Sequence, residues 1–270
     1  MTFLGISEGA FRLILSLALF LGFTLWETAE PWREGRVGRP LRWSANLGLM
    51  LIDTALVRLV FPLAAVGVAL WAEARGIGVF NQAFLQILFP GWLAGIICFL
   101  ALDFLIYWQH RIFHQVPFLW RLHRVHHSDT ELDVTSGVRF HPMEILLSMA
   151  VKSAAILVLG APAMAVILFE AALNGTSLFN HANVRLSPRI DAALRMVVVT
   201  PDMHRVHHSV VRTETDSNFG FDLPWWDWLF GSYRPEPEAG REHVTIGLEE
   251  FRAREEQRLD KLLVQPVRER

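Results

Sequence analysis

HRVHHS occupies residues 123–128, and the same six residues recur without change at residues 204–209. A shorter fragment of the same type, HRIFH, lies at residues 110–114. An isolated histidine is usually a surface residue or a hydrogen-bonded core residue, but repeated clusters of neutral imidazoles bind iron, zinc, copper or nickel. The three clusters therefore predict a fold that brings distant segments together around a metal site.

The composition of the chain indicates a membrane protein. Hydrophobic residues make up 52% of the 270 positions, and charged residues make up 19%, against about 25% in soluble domains. The net charge of -2 provides no basic field, so we expect no nucleic-acid partner. The single cysteine, Cys98, excludes an intrachain disulfide and lies in an apolar run, where we expect it to be buried. We also expect no removable signal peptide, because an early basic region and a cleavage motif are missing.

Three apolar runs before the first cluster predict crossings of a bilayer of about 30 Å; the first run is the shortest, but Arg12 can snorkel and Trp26 suits an interface. We expect spans over residues 11–28, 44–72 and 83–108. The second contains Asp53 and Arg58. Charges within a span are usually functional, but these two lie far from the histidines, so we expect them to form a structural ion pair.

Residues 143–180 form an apolar segment of a different kind, because Gly160-Ala161-Pro162 divides it into two halves. As helices the two halves would cover about 57 Å, enough to enter the membrane and return. Such a hairpin leaves both copies of HRVHHS on the same side. An odd number of crossings would separate the copies and prevent a shared site.

Arginine placement predicts the orientation by the positive-inside rule. Residues 33–42 contain four arginines, and most of the others follow the first cluster. We therefore expect an external N-terminus, a cytoplasmic cap over residues 109–142 and 181–234, and a cytoplasmic tail over 235–270. An amphipathic helix is expected at residues 249–265.

These features predict one all-α membrane domain over residues 1–270, a helical bundle below a histidine-rich cap with a dinuclear metal site. The basic residues are almost all arginine, with Lys152 and Lys261 as the exceptions. This bias is typical of GC-rich bacteria and favours a bacterial inner membrane.

Helical spacing places the histidines of each cluster on one face of a helix. Thr200 and Pro201 provide a helix start for the second HRVHHS copy. The number of ligands exceeds what one tetrahedral or octahedral ion can bind and so predicts two metal ions. The predicted ligands are His110, His114, His123, His126, His127, His204, His207, His208 and, at the end of the hairpin, His181.

Other polar residues have predicted positions near these ligands. His141 is a candidate ligand or hydrogen-bonding residue. Asp103 shares the helical stripe of the first cluster, and we expect it to orient an imidazole without binding metal. Glu170 and Asn174 lie on the same face of the predicted return helix as His181 and are expected to point toward the metal site. His243 stands alone in the tail, and we expect no role for it.

Several metalloprotein classes are excluded by missing residues. HRIFH has Arg111 where an HExxH zinc protease needs its glutamate. Glu-x-x-His does not occur, which excludes a ferritin-like carboxylate di-iron bundle. GxGxxG and P-loop motifs do not occur either, so we expect no bound nucleotide.

The chain resembles the fatty acid hydroxylase/sterol desaturase superfamily of integral membrane di-iron oxygenases. The resemblance covers roughly residues 103–234. It rests on DFLIYWQHRIFH, LWRLHRVHHSD, RFHPME, FNHANV, TPDMHRVHHS and NFGFDLPWWDWLFGSYR. The histidine boxes of the family correspond to His110/His114, His123/His126/His127 and His204/His207/His208, with His181 as a further ligand.

The resemblance implies two iron ions, O2 as co-substrate and electrons from an external donor. Members of the superfamily hydroxylate or desaturate fatty acyl chains, sterols, carotenoids and related lipids, so we expect a membrane lipid as the substrate. We expect no fused cytochrome b5-like domain, so the expected donor is a separate ferredoxin or cytochrome b5-type protein with its reductase. Zinc can occupy such iron sites in purified protein.

We therefore expect a membrane di-iron monooxygenase that hydroxylates a lipid, with desaturation as the first alternative. A membrane metal-dependent hydrolase is a second alternative, for which Asp202 and Glu170 are the candidate carboxylates. A metal transporter would need polar ligands near the membrane midplane, whereas nearly all the histidines lie beyond the predicted span ends.

Overall fold

The computed structural model describes residues 2–3, 6–35 and 39–269, and this part of the chain is almost entirely helical. Two short strands, β1 (Thr2–Phe3) and β2 (Ile6–Ser7), pair antiparallel before the first helix. The membrane-side helices are α1 (Glu8–Ala29), α2 (Arg39–Val60), α3 (Ala64–Arg75), α4 (Ala83–Leu88), α5 (Gly91–Gln115), and, after α6 (Pro117–His127), the pair α7 (Pro142–Leu159) and α8 (Ala163–His181). The later helices are α9 (Pro188–Leu194), α10 (Pro201–His207), α11 (Arg212–Thr215), α12 (Trp225–Leu229) and α13 (Leu259–Val264). The 3₁₀ turns are Val79–Asn81, Val134–Val138, Arg254–Gln257 and Gln265–Val267.

Five helical segments of the described residues are long and apolar enough to cross a membrane: α1, α2 with α3, α5, α7 and α8. On α1, the large apolar side chains Leu17, Leu21 and Leu25 are all more than half exposed. A contiguous apolar surface of this kind is stable against lipid and unfavourable in water. The chain is therefore an integral membrane protein.

Two helices differ in their bounds from the sequence prediction. Residues 44–72 were expected to form one membrane span, and the structure builds that span from two helices, because α2 ends at Val60 and α3 starts at Ala64. Pro62 lies in the break, where it lacks the amide hydrogen that a continuous helix needs. Residues 83–108 divide in the same way at Pro90, so the long helix α5 starts at Gly91 and reaches further toward the histidines than expected.

Asp53 and Arg58 do not form the expected ion pair. Asp53 is buried on α2, and within the described residues its Oδ1 atom has no hydrogen-bond partner. The two residues are five positions apart, which places their side chains about 140° apart around an α-helix. They therefore face different surroundings.

Helices α7 and α8 form a hairpin around an apolar core shared with α3 and α5. Gly160 ends α7 with a φ of 64°, in the left-handed conformation that commonly closes a helix. Pro162 then precedes the first turn of α8. The return helix brings His181 back to the end of the bundle where the HRVHHS segments lie.

The C-terminal segment does not form the amphipathic helix expected at residues 249–265. Only Leu259–Val264 is α-helical there, flanked by 3₁₀ turns. Leu262 is fully buried in an apolar cluster with side chains of α2 and α6. Arg124 Nη2 donates a hydrogen bond to the Gln265 carbonyl at 2.6 Å. The segment therefore packs as part of the cap, because long-range contacts replace a continuous helical face.

Candidate metal centre

Helices α5, α6 and α10 bring the three histidine clusters into one buried region. The rings of His114, His127 and His207, one from each helix, have centroids 4.6 to 4.8 Å apart. Helix α10 begins as its sequence predicts, since Thr200 is the N-cap and its Oγ1 accepts the Met203 amide at 3.3 Å. Local helix signals thus position each ligand set.

The structure brings all nine predicted ligands together in two groups. Within each group, one nitrogen from each ring lies within 4.8 Å of the others. All nine side chains are buried. The first group comprises His110, His114, His123, His127 and His207, and the second comprises His126, His181, His204 and His208. Each group can hold a metal ion.

In the first group, the Nε2 atoms of all five rings are buried without a hydrogen-bond partner among the described residues. The Nδ1 atoms of His110, His114, His123 and His207 have hydrogen-bond partners. His110 Nδ1 donates to the Phe219 carbonyl at 2.8 Å, and His207 Nδ1 donates to the Ser217 carbonyl at 2.7 Å. Because a carbonyl only accepts, these Nδ1 atoms carry the hydrogen and the Nε2 lone pairs are left to bind metal.

Carboxylates support the other side of this group. His123 Nδ1 lies 2.7 Å from Glu144 Oε1, and His114 Nδ1 lies 3.3 Å from Asp216 Oδ1. A carboxylate behind a ligating histidine fixes the ring and makes its free nitrogen a stronger donor to metal. Neither carboxylate was identified from the sequence, because Glu144 and Asp216 lie outside the histidine clusters.

In the second group, His126 and His181 approach each other through Nε2 atoms 3.1 Å apart. Their Nδ1 atoms face the carbonyls of Arg139, at 3.1 Å, and Ser177, at 2.7 Å. Both Nδ1 atoms must therefore donate, which leaves two unprotonated Nε2 lone pairs facing each other. A cation removes this repulsion, and 3.1 Å is close to the separation of two nitrogens that each lie about 2.1 Å from one ion. The donor set fits a metal.

Burial keeps the cap histidines in the metal-binding, neutral form. Burial lowers the pKa of His126, His127, His204 and His208 well below the usual histidine value, and the charges of neighbouring histidines lower it further. Burial likewise lowers the pKa of His207 to about 3. A neutral imidazole is the form that donates to metal, so the rings are ready to bind at neutral pH.

A buried ion network fixes the segment that follows the first HRVHHS. Arg42 Nε donates to Asp129 at 2.6 Å, and Arg42 Nη1 donates to Asp133 at 2.7 Å. Arg139 Nε donates to the Val125 carbonyl at 2.8 Å. Since the Arg139 carbonyl accepts the hydrogen bond from His126, this network positions a ligand of the second group.

Asp103 does not contact an imidazole, contrary to the sequence prediction. Its carboxylate accepts the Trp226 indole N–H at 2.7 Å and the Asp222 amide at 3.4 Å. Asp103 precedes His110 by seven residues, about 10 Å along the helix, so the same stripe does not bring the two side chains into contact. The Asp103 carboxylate instead holds the segment that follows Phe219. The Phe219 carbonyl accepts the hydrogen bond that orients His110.

His141 lies outside both groups. Its Nδ1 accepts the Met143 amide at 3.2 Å as the N-cap of α7, and its Nε2 lies 3.1 Å from the Leu263 carbonyl. Both ring nitrogens are used, so neither is available for metal. In the structure His141 is a capping residue and not a ligand.

Glu170 and Asn174 do not reach the histidines. Glu170 pairs with Lys152 and with Arg12, in both cases at 2.6 Å. Asn174 Nδ2 donates to Ser16 Oγ at 2.8 Å. Both side chains lie lower in the bundle because helix rise separates residues that share a stripe. They line a cavity next to the first histidine group.

This cavity has a volume of about 380 Å³ and lies between α1, α5, α7 and α8. His110 and His123 line one end. The apolar lining residues include Leu15, Phe113 and Phe221, and the polar lining residues include Gln109, Ser148 and Asn174. The cavity therefore joins a metal-binding group to an apolar space within the membrane helices.

Residues 95–232, just over half of the chain, match the family model described as fatty acid hydroxylase. The chain belongs to the fatty acid hydroxylase family. In this family member, the matched segment contains all nine converging histidines and both helices of the hairpin.

Three curated relatives show the range of similar proteins. The chain is 33% identical to an ornithine lipid hydroxylase of Rhizobium tropici over 53% of this chain and 43% of that protein. It is 32% identical to the human alkylglycerol monooxygenase over 56% of this chain and 32% of that protein. It is 27% identical to a Delta(7)-sterol-C5(6)-desaturase of Nicotiana tabacum over 58% of this chain and 57% of that protein. The matches thus span less than two thirds of each of these relatives. No solved structure matches the chain.

Proposed function

We propose that this fatty acid hydroxylase family member is a membrane di-iron monooxygenase that hydroxylates a lipid with O2 and external electrons. One observation carries the proposal: His110 and His123 belong to the first histidine group and also line the apolar cavity. A chain held in this cavity would place its C–H bonds beside the metal ligands. The relatives named hydroxylase, monooxygenase and desaturase support the same reaction class.

Two iron ions, one in each histidine group, would supply the redox chemistry that reduces O2 and attacks an unactivated C–H bond. Zinc has no redox chemistry, so zinc found in purified protein would be a substitute. The residues of the chain have three tasks in this proposal. The buried imidazoles would hold the metal, hydrogen bonds to the Nδ1 atoms of six of the nine fix those rings, and the apolar part of the cavity lining would exclude water from the oxidising site.

We propose a separate ferredoxin or cytochrome b5-type protein, with its reductase, as the electron donor. A recess of about 660 Å³ lined by His114, Trp120 and Arg212 supports entry from the surface of the cap. The Arg212 side chain is about half exposed and lies 4.8 Å from the Trp120 ring. The Trp120 ring lies 4.9 Å from His114 and 5.4 Å from His127. Electrons entering here would cross one aromatic side chain to reach two ligands.

Desaturation is the second candidate, because the tobacco relative is named as a desaturase. The hydrolase alternative loses support from the contacts of its candidate carboxylates. Glu170 is neutralised by Lys152 and Arg12, and Asp202 pairs with Arg205 and with Arg241 at 3.1 Å. A carboxylate held between cations is a poor general base.

We further propose a bacterial inner-membrane location with the N-terminus outside and the histidine cap and C-terminus in the cytoplasm. The arginine distribution supports this orientation. Reporters fused after Ser128 and after Tyr233 should both be cytoplasmic. Reporters on opposite sides of the membrane would contradict the orientation and the shared site together.

The proposed activity is tested by O2 consumption in membranes that contain the protein, a reductase system and a native lipid extract. We expect consumption to require both lipid and reductant, and to disappear in the His123→Ala variant. Product formation that continues without O2 would contradict the proposal.

A further inference from the structure

We propose that Arg12 and Lys152 form a subsite that binds a hydrogen-bond-accepting polar group of the lipid, such as a carboxylate, ester or amide carbonyl. This inference rests on the proposed function in taking the cavity as the lipid site. It goes further because it assigns a substrate class and predicts which part of the lipid is oxidised. Arg12 lies outside the segment that matches the family model, whereas Lys152 and Glu170 lie within it.

The cavity has charged side chains at one level and metal-binding histidines at another, and the wall between them combines apolar residues with the hydrogen-bonded pairs Gln109–Ser148 and Asn174–Ser16. His110 and His123 line one end, and Arg12, Lys152 and Glu170 line the other. Glu170 precedes His181 by eleven residues on α8, which corresponds to about 16 Å along the helix. An amphiphile fits this arrangement when its polar group lies far from the carbon that approaches the metal.

The charges at the far end are unusual for their location. The side chains of Lys152 and Glu170 are 10% and 8% exposed, on the two helices of the hairpin. Ionisable groups inside membrane helices are costly and usually have a function. If these residues only stabilised the hairpin, well-packed apolar side chains would give equal or greater stability without the free-energy cost of burying charges.

The hydrogen bonds at this end leave an excess of donors. Glu170 uses one carboxylate oxygen for Lys152 and the other for Arg12. Among the described residues, Lys152 donates one hydrogen bond, to Glu170, although an ammonium group carries three N–H donors. Arg12 is shared between Glu170 and Glu8 and carries five N–H donors. These free N–H donors favour a ligand that carries hydrogen-bond acceptors. A pure hydrocarbon cannot accept a hydrogen bond from them.

The ligand is therefore an acyl lipid whose carbonyl or carboxylate oxygen accepts hydrogen bonds from Lys152 and Arg12. Its chain then runs past Leu15 and Ile106 toward His110. The oxidised carbon lies on the chain, remote from the polar group, and not adjacent to it. A substrate that is oxidised next to its polar group would have to bind with that group near His110, in the opposite orientation.

Binding, measured without turnover, tests the subsite. Purified metal-loaded protein is equilibrated with tritiated palmitate, which is then displaced by palmitate, methyl palmitate or hexadecane. The test variant combines Lys152→Met with Glu170→Gln, which removes a cation and an anion together and leaves Arg12 paired with Glu8. Lys261→Met, at the only other lysine in the chain, is the matched control. Lys152→Arg keeps the charge and the donors.

We expect wild-type protein to bind palmitate and methyl palmitate in preference to hexadecane. The double variant should lose about tenfold or more in affinity for the two oxygen-bearing lipids, the loss expected for a hydrogen bond to a charged group. Its hexadecane binding and its metal content should stay unchanged, and Lys152→Arg and Lys261→Met should behave like wild type.

Equal binding of all three lipids by the wild-type protein would overturn the subsite. So would unchanged palmitate affinity in the double variant, or an equal loss of hexadecane binding. Because none of these measurements requires O2, they are independent of the oxygenase proposal. Selective binding without oxygenation would contradict the proposed function alone.

Discussion

His181 Nε2 lies 3.0 Å from His204 Nε2, so the end of the membrane hairpin contacts the second HRVHHS copy. His126, from the first copy, approaches the same His181 nitrogen at 3.1 Å. One residue of the hairpin thus joins both copies of the repeat. The hairpin is therefore a part of the metal centre as well as a membrane anchor.

His181→Ala should remove the metal of the second group and leave the first group loaded, because His181 belongs only to the second group. Metal analysis of purified protein should show about half of the wild-type content, with activity lost. His243→Ala is the control, since that residue is exposed in the tail. Wild-type metal content in His181→Ala would contradict the division into two groups.

His141→Ala should lower stability without changing metal content, because His141 caps α7 and lies outside both groups. Loss of an N-cap costs about 1 kcal/mol. His141→Asn, which keeps a capping acceptor, should restore most of the stability in a thermal unfolding measurement. A loss of metal from both variants would instead make His141 a ligand.

Arg42→Met should strongly destabilise the cap, because it leaves Asp129 and Asp133 as buried carboxylates without their main cation. Breaking a buried ion pair in this way costs about 3–5 kcal/mol. The matched control is Arg258→Met, which removes an exposed pair with Asp260 and should cost about 1 kcal/mol or less. Equal unfolding midpoints for the two variants would show that the Arg42 network does not hold the cap.

Metal-free protein should lose stability as the pH falls below about 6.5, the ordinary pKa of histidine in an unfolded chain. Burial lowers the pKa of His207 to about 3, so between these two values the unfolded state binds a proton that the folded state does not. Each such histidine lowers the free energy of unfolding by up to about 1.4 kcal/mol per pH unit. Denaturant unfolding of chelator-treated protein measures the slope, which His207→Gln should reduce and His243→Ala should leave unchanged. Stability that stays constant from about pH 7 to about pH 5 would show that the buried histidines are not held neutral.

The parts of the site that the sequence predicts well are those with local signals. The nine histidines stand out because helical spacing places each cluster on one face, and Thr200 and Pro201 mark the start of α10. The hairpin follows from Gly160 and Pro162.

The wrong predictions for Asp103 and Glu170 arose because residues on one face of a helix can still lie far apart along its axis. Asp103 and Glu170 share stripes with ligands but lie several turns away, so their partners are Trp226 and Lys152. The tail departs from its expected helix because Leu262 packs against α2, far away in sequence. Contacts between distant segments decided these positions, and periodicity alone does not reveal them.

The central claim is that an oxygen atom from O2 enters a lipid, and labelled O2 tests it most directly. Membranes with the protein, a reductase system and native lipid extract are supplied with isotopically labelled O2, and the lipids are analysed by mass spectrometry. We predict label in a new lipid hydroxyl, which is absent from the His123→Ala membranes. An unlabelled alkene formed only in the presence of O2 would mean desaturation. Product oxygen that comes from labelled water, without any need for O2, would contradict the oxygenase account.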